Sequence, residues 1–395
     1  MSWRDITLGA LCAEGGGGVQ TGPFGSQLHA ADYVREGVPS VMPHNIGDNV
    51  IDERGIARIT VKDATRLGKY LLAEGDIVYS RRGDVEKRAL VRPENEGWLC
   101  GTGCLRVRLG DQGRNDARFI SQLLGTPKTR EWISRHAVGA TMPNLNTKIL
   151  SSVPLRVPEL EEQRAIADVL AALEDKIAAN TRLTETASEL AEGLTREGVD
   201  PGRKMALTQI ADVVMGSSPV GASLNEDGRG TVFYQGVRDF GFRSPKRRIW
   251  TEKITRLGEA GDTLLSVRAP VGRLNVASEP ICIGRGLAAI RTAVGAPATL
   301  FNLLKAFPEV WEPFEAEGTI FGSINRGQLE GLQVPSVKPE LAAGLESRLA
   351  GLEASITSAL AENNLLAELR DTLLPELMSG RLCVKDAEKK IEEVV

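Results

Sequence analysis

The side chains with chemical potential in this chain are polar and cationic, and they fall in short clusters rather than as isolated reactive groups. In the first half, Arg81 and Arg82 open a charged loop that closes at Lys87 and Arg88, behind the apolar run Ile77-Val78-Tyr79. His44-Asn45 follows another apolar run, and Thr141, Asn144 and Asn146 sit in a polar loop. The second half offers Gln235 with Arg238, then Arg243, Lys246, Arg247 and Arg248, then Arg268, and finally Asn325 with Arg326. A guanidinium or ammonium matches the two acceptors on the major-groove edge of guanine, and a carboxamide matches the donor and acceptor of adenine. The same cations also meet phosphates, which orient a protein on a duplex without reading its sequence. Any single one reads equally well as a solvated surface charge; the clusters taken as sets point to nucleic acid.

Charge is distributed to match. The whole chain carries a net −4, which speaks against a nucleic-acid binder until it is divided. Residues 1–155 hold 20 Lys and Arg against 17 Asp and Glu, and residues 201–335 hold 16 against 13. Residues 156–200 hold 5 against 11, and residues 336–395 hold 7 against 11. Two mildly basic blocks therefore alternate with two acidic ones, which suits phosphate on the former and solvent or protein on the latter.

The elements that must position these clusters are repeated. Gly75-Asp76-Ile77-Val78-Tyr79-Ser80-Arg81-Arg82 returns as Gly261-Asp262-Thr263-Leu264-Leu265-Ser266-Val267-Arg268. Cys100-Gly101-Thr102-Gly103 with Arg106-Val107-Arg108 parallels Ile283-Gly284-Arg285-Gly286 with Ile290-Arg291. Gly139-Ala140-Thr141 and Asn146 match Gly318-Thr319-Ile320 and Asn325, and Leu170, Leu173-Glu174 and Ile177 match Leu349, Leu352-Glu353 and Ile356. Matches in one order at nearly one spacing mark a tandem duplication.

Each copy begins with short strand-like runs between turn clusters such as Asn225-Glu226-Asp227-Gly228, interleaved with apolar helical segments such as Phe119–Leu124. Ile77–Tyr79 and Thr263–Leu265 read as buried strands, and Leu105–Arg108 as a half-exposed one. The run Gly15–Gly18 lacks the lysine and helix of a phosphate loop and reads as a flexible loop. Each copy ends in a long helical pattern. Ile166, Leu170, Leu173, Ile177, Asn180, Leu183, Ala187, Leu190 and Leu194 step by threes and fours in the first, and Leu345, Leu349, Leu352, Ile356, Leu360, Asn363, Leu366, Leu369, Leu373 and Leu377 in the second. That spacing predicts a coiled-coil seam in which Asn180 lies near Asn363 and sets register. A helix of about 35 residues spans roughly 50 Å.

The expected fold is α+β: two homologous lobes, each followed by a long helix, as a tandem pseudo-repeat. The divisions are residues 1–155, 156–200, 201–337 and 338–395. No apolar run approaches the ~20 residues of a membrane span, and the N-terminal segment lacks the apolar core of a signal peptide. A cytoplasmic protein without membrane attachment is expected. The five cysteines are scattered; Cys100 and Cys104 are spaced like half of a zinc site, but no second pair lies near, so free thiols and no metal are expected.

Pro154-Leu155-Arg156-Val157-Pro158 followed by Glu162-Gln163-Arg164-Ala165-Ile166-Ala167 resembles the central spacer of type I restriction-modification specificity subunits. Leu369-Arg370-Asp371-Thr372-Leu373-Leu374-Pro375-Glu376-Leu377-Met378-Ser379-Gly380-Arg381-Leu382 resembles that family's C-terminal spacer ending. The second copy keeps Pro339-Glu340-Leu341 but has no Glu-Gln pair after it. The resemblance implies two homologous target-recognition domains separated by two long antiparallel coiled-coil spacer helices, in a DNA-recognition subunit that reads a bipartite, asymmetric site in double-stranded DNA. It also implies docking of two methyltransferase subunits and two motor-nuclease restriction subunits. S-adenosylmethionine, ATP and magnesium would then belong to those partners, with no cofactor on this chain. In keeping with that, the sequence has no Asn-Pro-Pro or Asp-Pro-Pro-aromatic motif, no P-loop and no His-containing metal motif. A two-lobed adaptor for protein targets and a hydrolase are the alternatives that the residues leave open. Salt-dependent binding to duplex DNA separates the first reading from the adaptor.

Overall fold

The computed structural model describes residues 3–24, 27–111, 113–139, 141–315 and 322–393. The matched pair Gly139-Ala140-Thr141 and Gly318-Thr319-Ile320 falls partly outside them. The fold is α+β, with two lobes built on one plan and two long helices, Leu160–Gly198 and Ala342–Ser379. The chain divides into two compact units, Met1–Lys176 with Leu365–Val395, and Ile177–Asn364. Each unit takes one lobe and a part of each long helix.

In the first unit an antiparallel ribbon joins the lobe's beginning to its end, Arg4–Thr7 against Pro154–Val157. A five-stranded sheet runs in the order Gly16–Thr21, Cys104–Gly110, Ile77–Ser80, Arg88–Leu90, Asp48–Asn49. A four-stranded sheet runs Tyr33–Val34, Ala57–Ile59, Val38–Val41, Leu99–Cys100, its last two strands parallel. Ile77–Ser80 is central and buried on both faces, as its unbroken apolar run requires. One core gathers Val41, Val78, Ala89 and Trp98, and another Ile59, Leu67, Tyr70 and Leu99.

Two strand expectations are corrected here. Leu105–Arg108 is not half-exposed: Arg106 is buried, and its guanidinium donates to the carbonyls of Lys69 and Leu71 and to Gln20 Oε1. The alternation was real, but loop carbonyls cover the polar face. Nor is Gly15–Gly18 a loose loop. Gly16–Thr21 is a paired strand, with Gly18 opposite Arg108 and Gly16 opposite Gly110. A Cβ on Gly15 or Gly17 would stand 2.1 or 2.0 Å from the carbonyl oxygens of Leu109 or Arg108, so the glycines allow the close approach.

The second unit repeats the plan. The ribbon is Val199–Ala206 against Gln333–Val337. A four-stranded sheet runs Ala211–Met215, Leu287–Thr292, Thr263–Ser266, Leu274–Val276, and a five-stranded sheet holds Thr231–Tyr234 parallel to Ile281–Ile283. The duplication extends to single ion pairs. Arg108 forks onto Asp76 at 2.7 and 2.6 Å, and Arg291 onto Asp262 at 2.9 and 2.8 Å. Their positions in the two sheets correspond.

Within the second unit the helix pair is antiparallel: Gly198 faces Leu345 while Asn180 reaches Glu362. Its seam keeps Asn180, Ala187 and Leu194 of the expected one and differs at two positions. Leu183 and Leu190 are 48% and 51% exposed. The buried stripe is Asn180, Thr184, Ala187, Ser188, Ala191, Leu194 and Thr195. Both phases of the three-four spacing contain apolar residues, and the helix buries the phase with small ones, which lets a neighbour approach closely. Thr184 and Thr195 satisfy their hydroxyls on the carbonyls of Thr181 and Ala191. Asn180 and Asn363 lie at one level without bonding each other. Asn180 Nδ2 donates to Glu362 at 2.7 Å, and Asn363 Nδ2 to the Ile177 carbonyl and Thr181 Oγ1, both at 3.3 Å. Of the other expected packing residues, Ile166, Leu170, Leu173, Leu349, Ile356 and Leu366 are buried, whereas Ile177 and Leu352 are half-buried.

Candidate nucleic-acid interface

The central buried strand of each lobe ends in a loop, and backbone hydrogen bonds tie three further segments to that loop. In lobe one the Arg81 N–H donates to the Gly103 carbonyl at 2.8 Å, and the Arg81 carbonyl accepts from Leu145 at 2.8 Å. Gly83 donates to Pro143, and Gly101 to Val41, the strand that leads into the turn Pro43–Asn45. In lobe two Val267 donates to Gly286 at 2.9 Å and accepts from Ile324 at 3.1 Å. Ala269 donates to Gly322, and Gly284 to Tyr234, the strand that leads into the turn Val237–Asp239. One frame therefore displays the same four segments twice: a short turn, a strand-end loop, a Gly-x-Gly turn, and the loop before a short helix. Arg82 corresponds to Arg268, His44 to Arg238, and Thr102 to Arg285.

The side chains on this frame separate into those that hold it and those it presents. Asn45 is buried; its amide accepts from Met42 N and donates to the Asp52 carbonyl, so it braces the turn. Asn146 and Asn325 are helix N-caps, accepting from Ile149 at 2.8 Å and Gln328 at 3.0 Å. Arg88 is buried, donating from Nε to the Ser121 carbonyl at 2.6 Å and pairing with Asp48 at 3.0 Å. Arg243 is only 3% exposed, with Nε 3.1 Å from Glu353 and its guanidinium 4.5 Å from the Phe301 ring centre. Burial lowers the pKa of Arg243, opposed by the attraction of Glu353 and Glu192. These five sequence candidates serve the fold. A cationic run gives no sign of which member the interior will neutralise, so Arg88 and Arg243 looked like their exposed neighbours.

On the surface of lobe one, Arg82, His44, Thr141 and, half-buried, Asn144 remain available. Arg81 is half-buried, and Lys87 pairs with Asp84 at 3.5 Å. In lobe two, Gln235, Arg238, Arg248 and Arg268 line one cleft of about 970 Å³. Sequence reasoning named all four of these. It missed Arg285, which lines the same cleft; the only signal was that the repeat places an arginine where the first copy has Thr102. Arg238, Arg248, Arg268 and Arg285 are exposed and make no ion pair with a described carboxylate. Arg247 and Arg326 are partly neutralised by Glu279 and Glu330 at 2.6 and 2.7 Å, and Lys246 is exposed. Such a cleft can accept a polyanion and offer forked donors to base edges.

The lobes are fastened to the long helices by different chemistry. In the first unit buried Gln163 accepts from Asp116 N at 3.0 Å and donates to the Pro158 carbonyl and Asn115. The second copy lacks that glutamine; Glu346 instead caps helix Pro297–Ala306, accepting from Ala298 and Thr299 at 3.2 and 2.7 Å. Glu174 and Glu353 are repeat equivalents, accepting from Gln122 at 2.7 Å and Asn302 at 2.9 Å. Ser188 accepts from Lys305 at 2.6 Å, and Lys305 also meets Glu192. Cys12, Cys100, Cys104 and Cys282 are buried free thiols and Cys383 is partly exposed. No helix among the described residues is long and apolar enough to cross a membrane.

Residues 37–188 match the type I restriction modification DNA specificity domain. Over 379 residues the chain is 25% identical to a protein of Methanocaldococcus jannaschii described as the type I restriction enzyme MjaX specificity subunit, covering 88% of each. It is 28% identical over 177 residues to the type I restriction enzyme HindI specificity subunit of Haemophilus influenzae, covering 42% of this chain and 38% of that protein. Among solved structures, the S subunit of a type I restriction-modification system from M. genitalium aligns with a TM-score of 0.68 at 18% identity, over 95% of this chain and 96% of that one. At that identity the likeness concerns the fold.

Proposed function

We propose, from the premise that the chain belongs to the type I restriction-modification specificity-subunit family, that it binds double-stranded DNA and reads a bipartite, asymmetric site, one half with each lobe. The observation that carries this reading is the face built twice on equivalent backbone hydrogen bonds, with cationic side chains left unneutralised on it. Two unlike faces on one frame suit two unlike half-sites separated by bases that neither lobe reads. The helix Leu160–Gly198, with 39 residues, is about 58 Å long, more than one ~34–36 Å turn of B-DNA.

In this reading the chain performs no chemistry of its own. Two methyltransferase subunits dock on the helices and use S-adenosylmethionine, and two motor-nuclease subunits use ATP and magnesium. The acidic helices suit protein contact, and the basic lobes suit phosphate. The test is to titrate the purified chain, alone and with its cognate methyltransferase, against duplex DNA at increasing salt. Affinity falls linearly on a log–log plot, with a slope of about −0.9 per phosphate contact. Adenine methylation appears only with the methyltransferase present. Salt-independent binding, or methyl transfer by the lone chain, contradicts the reading.

A further inference from the structure

Two clefts on lobe two share a wall. The first, with Gln235, Arg238 and Arg248, has been described; the second, of about 640 Å³, is lined by Met215, Asn325 and Gln328 among others. Arg268, Ala269 and Arg285 line both, so these residues form a ridge between the hollows. The ridge stands on fixed backbone. Gly284 donates to the Tyr234 carbonyl at 2.8 Å, Gly286 to the Gln235 carbonyl at 3.2 Å, and Arg285 N to Ser218 Oγ at 3.2 Å. A Cβ on Gly286 would lie 2.4 Å from the Gln235 carbonyl oxygen, so the turn packs closer than other residues allow. Arg268 is bridged to Ser323. A cation on a mobile loop must be ordered on binding; one rooted in such a turn loses less freedom.

We propose that Arg285, beside Arg268 on this ridge, reads a guanine of the half-site contacted by lobe two. The proposal rests on the DNA-binding reading above. A ridge flanked by two hollows enters a groove, whereas a cation that only tracks phosphates needs no flanking space. Arginine is the side chain whose fork matches guanine's O6 and N7. Lobe one has Thr102 at the equivalent turn, so the device belongs to one half-site only.

The experiment uses the full chain co-expressed with its cognate methyltransferase, with genome-wide maps of methylated adenines for wild type, Arg285→Ala, Arg285→Thr and Arg285→Lys. Arg285 is exposed, so thermal unfolding midpoints should match and confirm folding. In the Ala and Thr variants one position of one half-site should lose its guanine requirement. Discrimination there should fall roughly 5- to 150-fold, the range for a good bidentate contact, with the other half-site unchanged. Arg285→Lys should keep the salt slope of wild type on a duplex carrying the mapped motif and retain only part of the discrimination, because an ammonium meets the same two acceptors without the planar fork. An unchanged motif overturns the proposal. So does uniform weakening across all motif positions with a salt slope shallower by about one, the mark of a phosphate contact. If the wild-type motif itself is uninterrupted, the two-reader function fails, whatever Arg285 does.

Discussion

Lobe one and lobe two share a frame and differ in what they hang on it. Loop for loop, the backbone hydrogen bonds are the same: Arg81 to Gly103 answers Val267 to Gly286, and Leu145 to Arg81 answers Ile324 to Val267. The presented chemistry is unequal. Lobe one spends Asn45 on a turn and Arg88 on an interior pair, and leaves Lys87 beside Asp84. Lobe two presents four arginines that no described carboxylate neutralises. The anchors differ as well: Glu174 and Glu353 answer each other, but the first unit adds the uncharged amide of Gln163 where the second adds Glu346 and Arg243. Duplication has preserved what the backbone needs and released what it does not.

The comparison can be broken at its anchors first. Arg243→Ala should destabilise the second unit by about 3–5 kcal/mol, because it leaves Glu353 without its buried cationic partner. Denaturant unfolding of the full chain would show this as a lowered first transition. Gln163→Ala should cost about 1–3 kcal/mol, since the part-buried Asp116 N–H and the buried Pro158 carbonyl lose their partner. If the two costs prove equal, the anchors are not the charged and uncharged devices described. Arg82→Ala should alter the lobe-one half-site alone, by about 1–3 kcal/mol at one position if it reads a base. Competition binding with single-base variants of the mapped motif measures it. Arg118→Ala removes the ion pairs of one half-exposed guanidinium with Asp116 and Asp168 and should change stability by about 1 kcal/mol or less.

Much of the frame was legible in the residues. The repeat placed Arg82 opposite Arg268, the apolar runs located Ile77–Ser80 and Thr263–Ser266, and the helical spacing located Leu160–Gly198 and Ala342–Ser379. Side-chain fate was less legible, for reasons that are tertiary. Period alone cannot choose between two apolar phases of one helix, so Leu183 and Leu190 were expected in a seam that small residues occupy instead. A charged run does not say which member meets a buried carboxylate, so Arg243 was grouped with exposed Arg248. Glycine repeats suggest mobility unless the partner strand is known, and here Arg108 and Leu109 crowd Gly17 and Gly15. The Glu-Gln start of the first spacer carried the family resemblance without showing what it packs against; Gln163 points inward and clamps the lobe.

The central claim is that two unlike faces on one frame read two unlike half-sites. Its most direct test is a pair of genome-wide methylation maps, one for the chain carrying Arg82→Ala with Asn144→Ala and one for the chain carrying Arg268→Ala with Arg285→Ala. Each map should show an interrupted motif with one half relaxed and the other intact, and the relaxed half should differ between the two variants. A continuous motif, or the same half relaxed in both maps, would contradict the account.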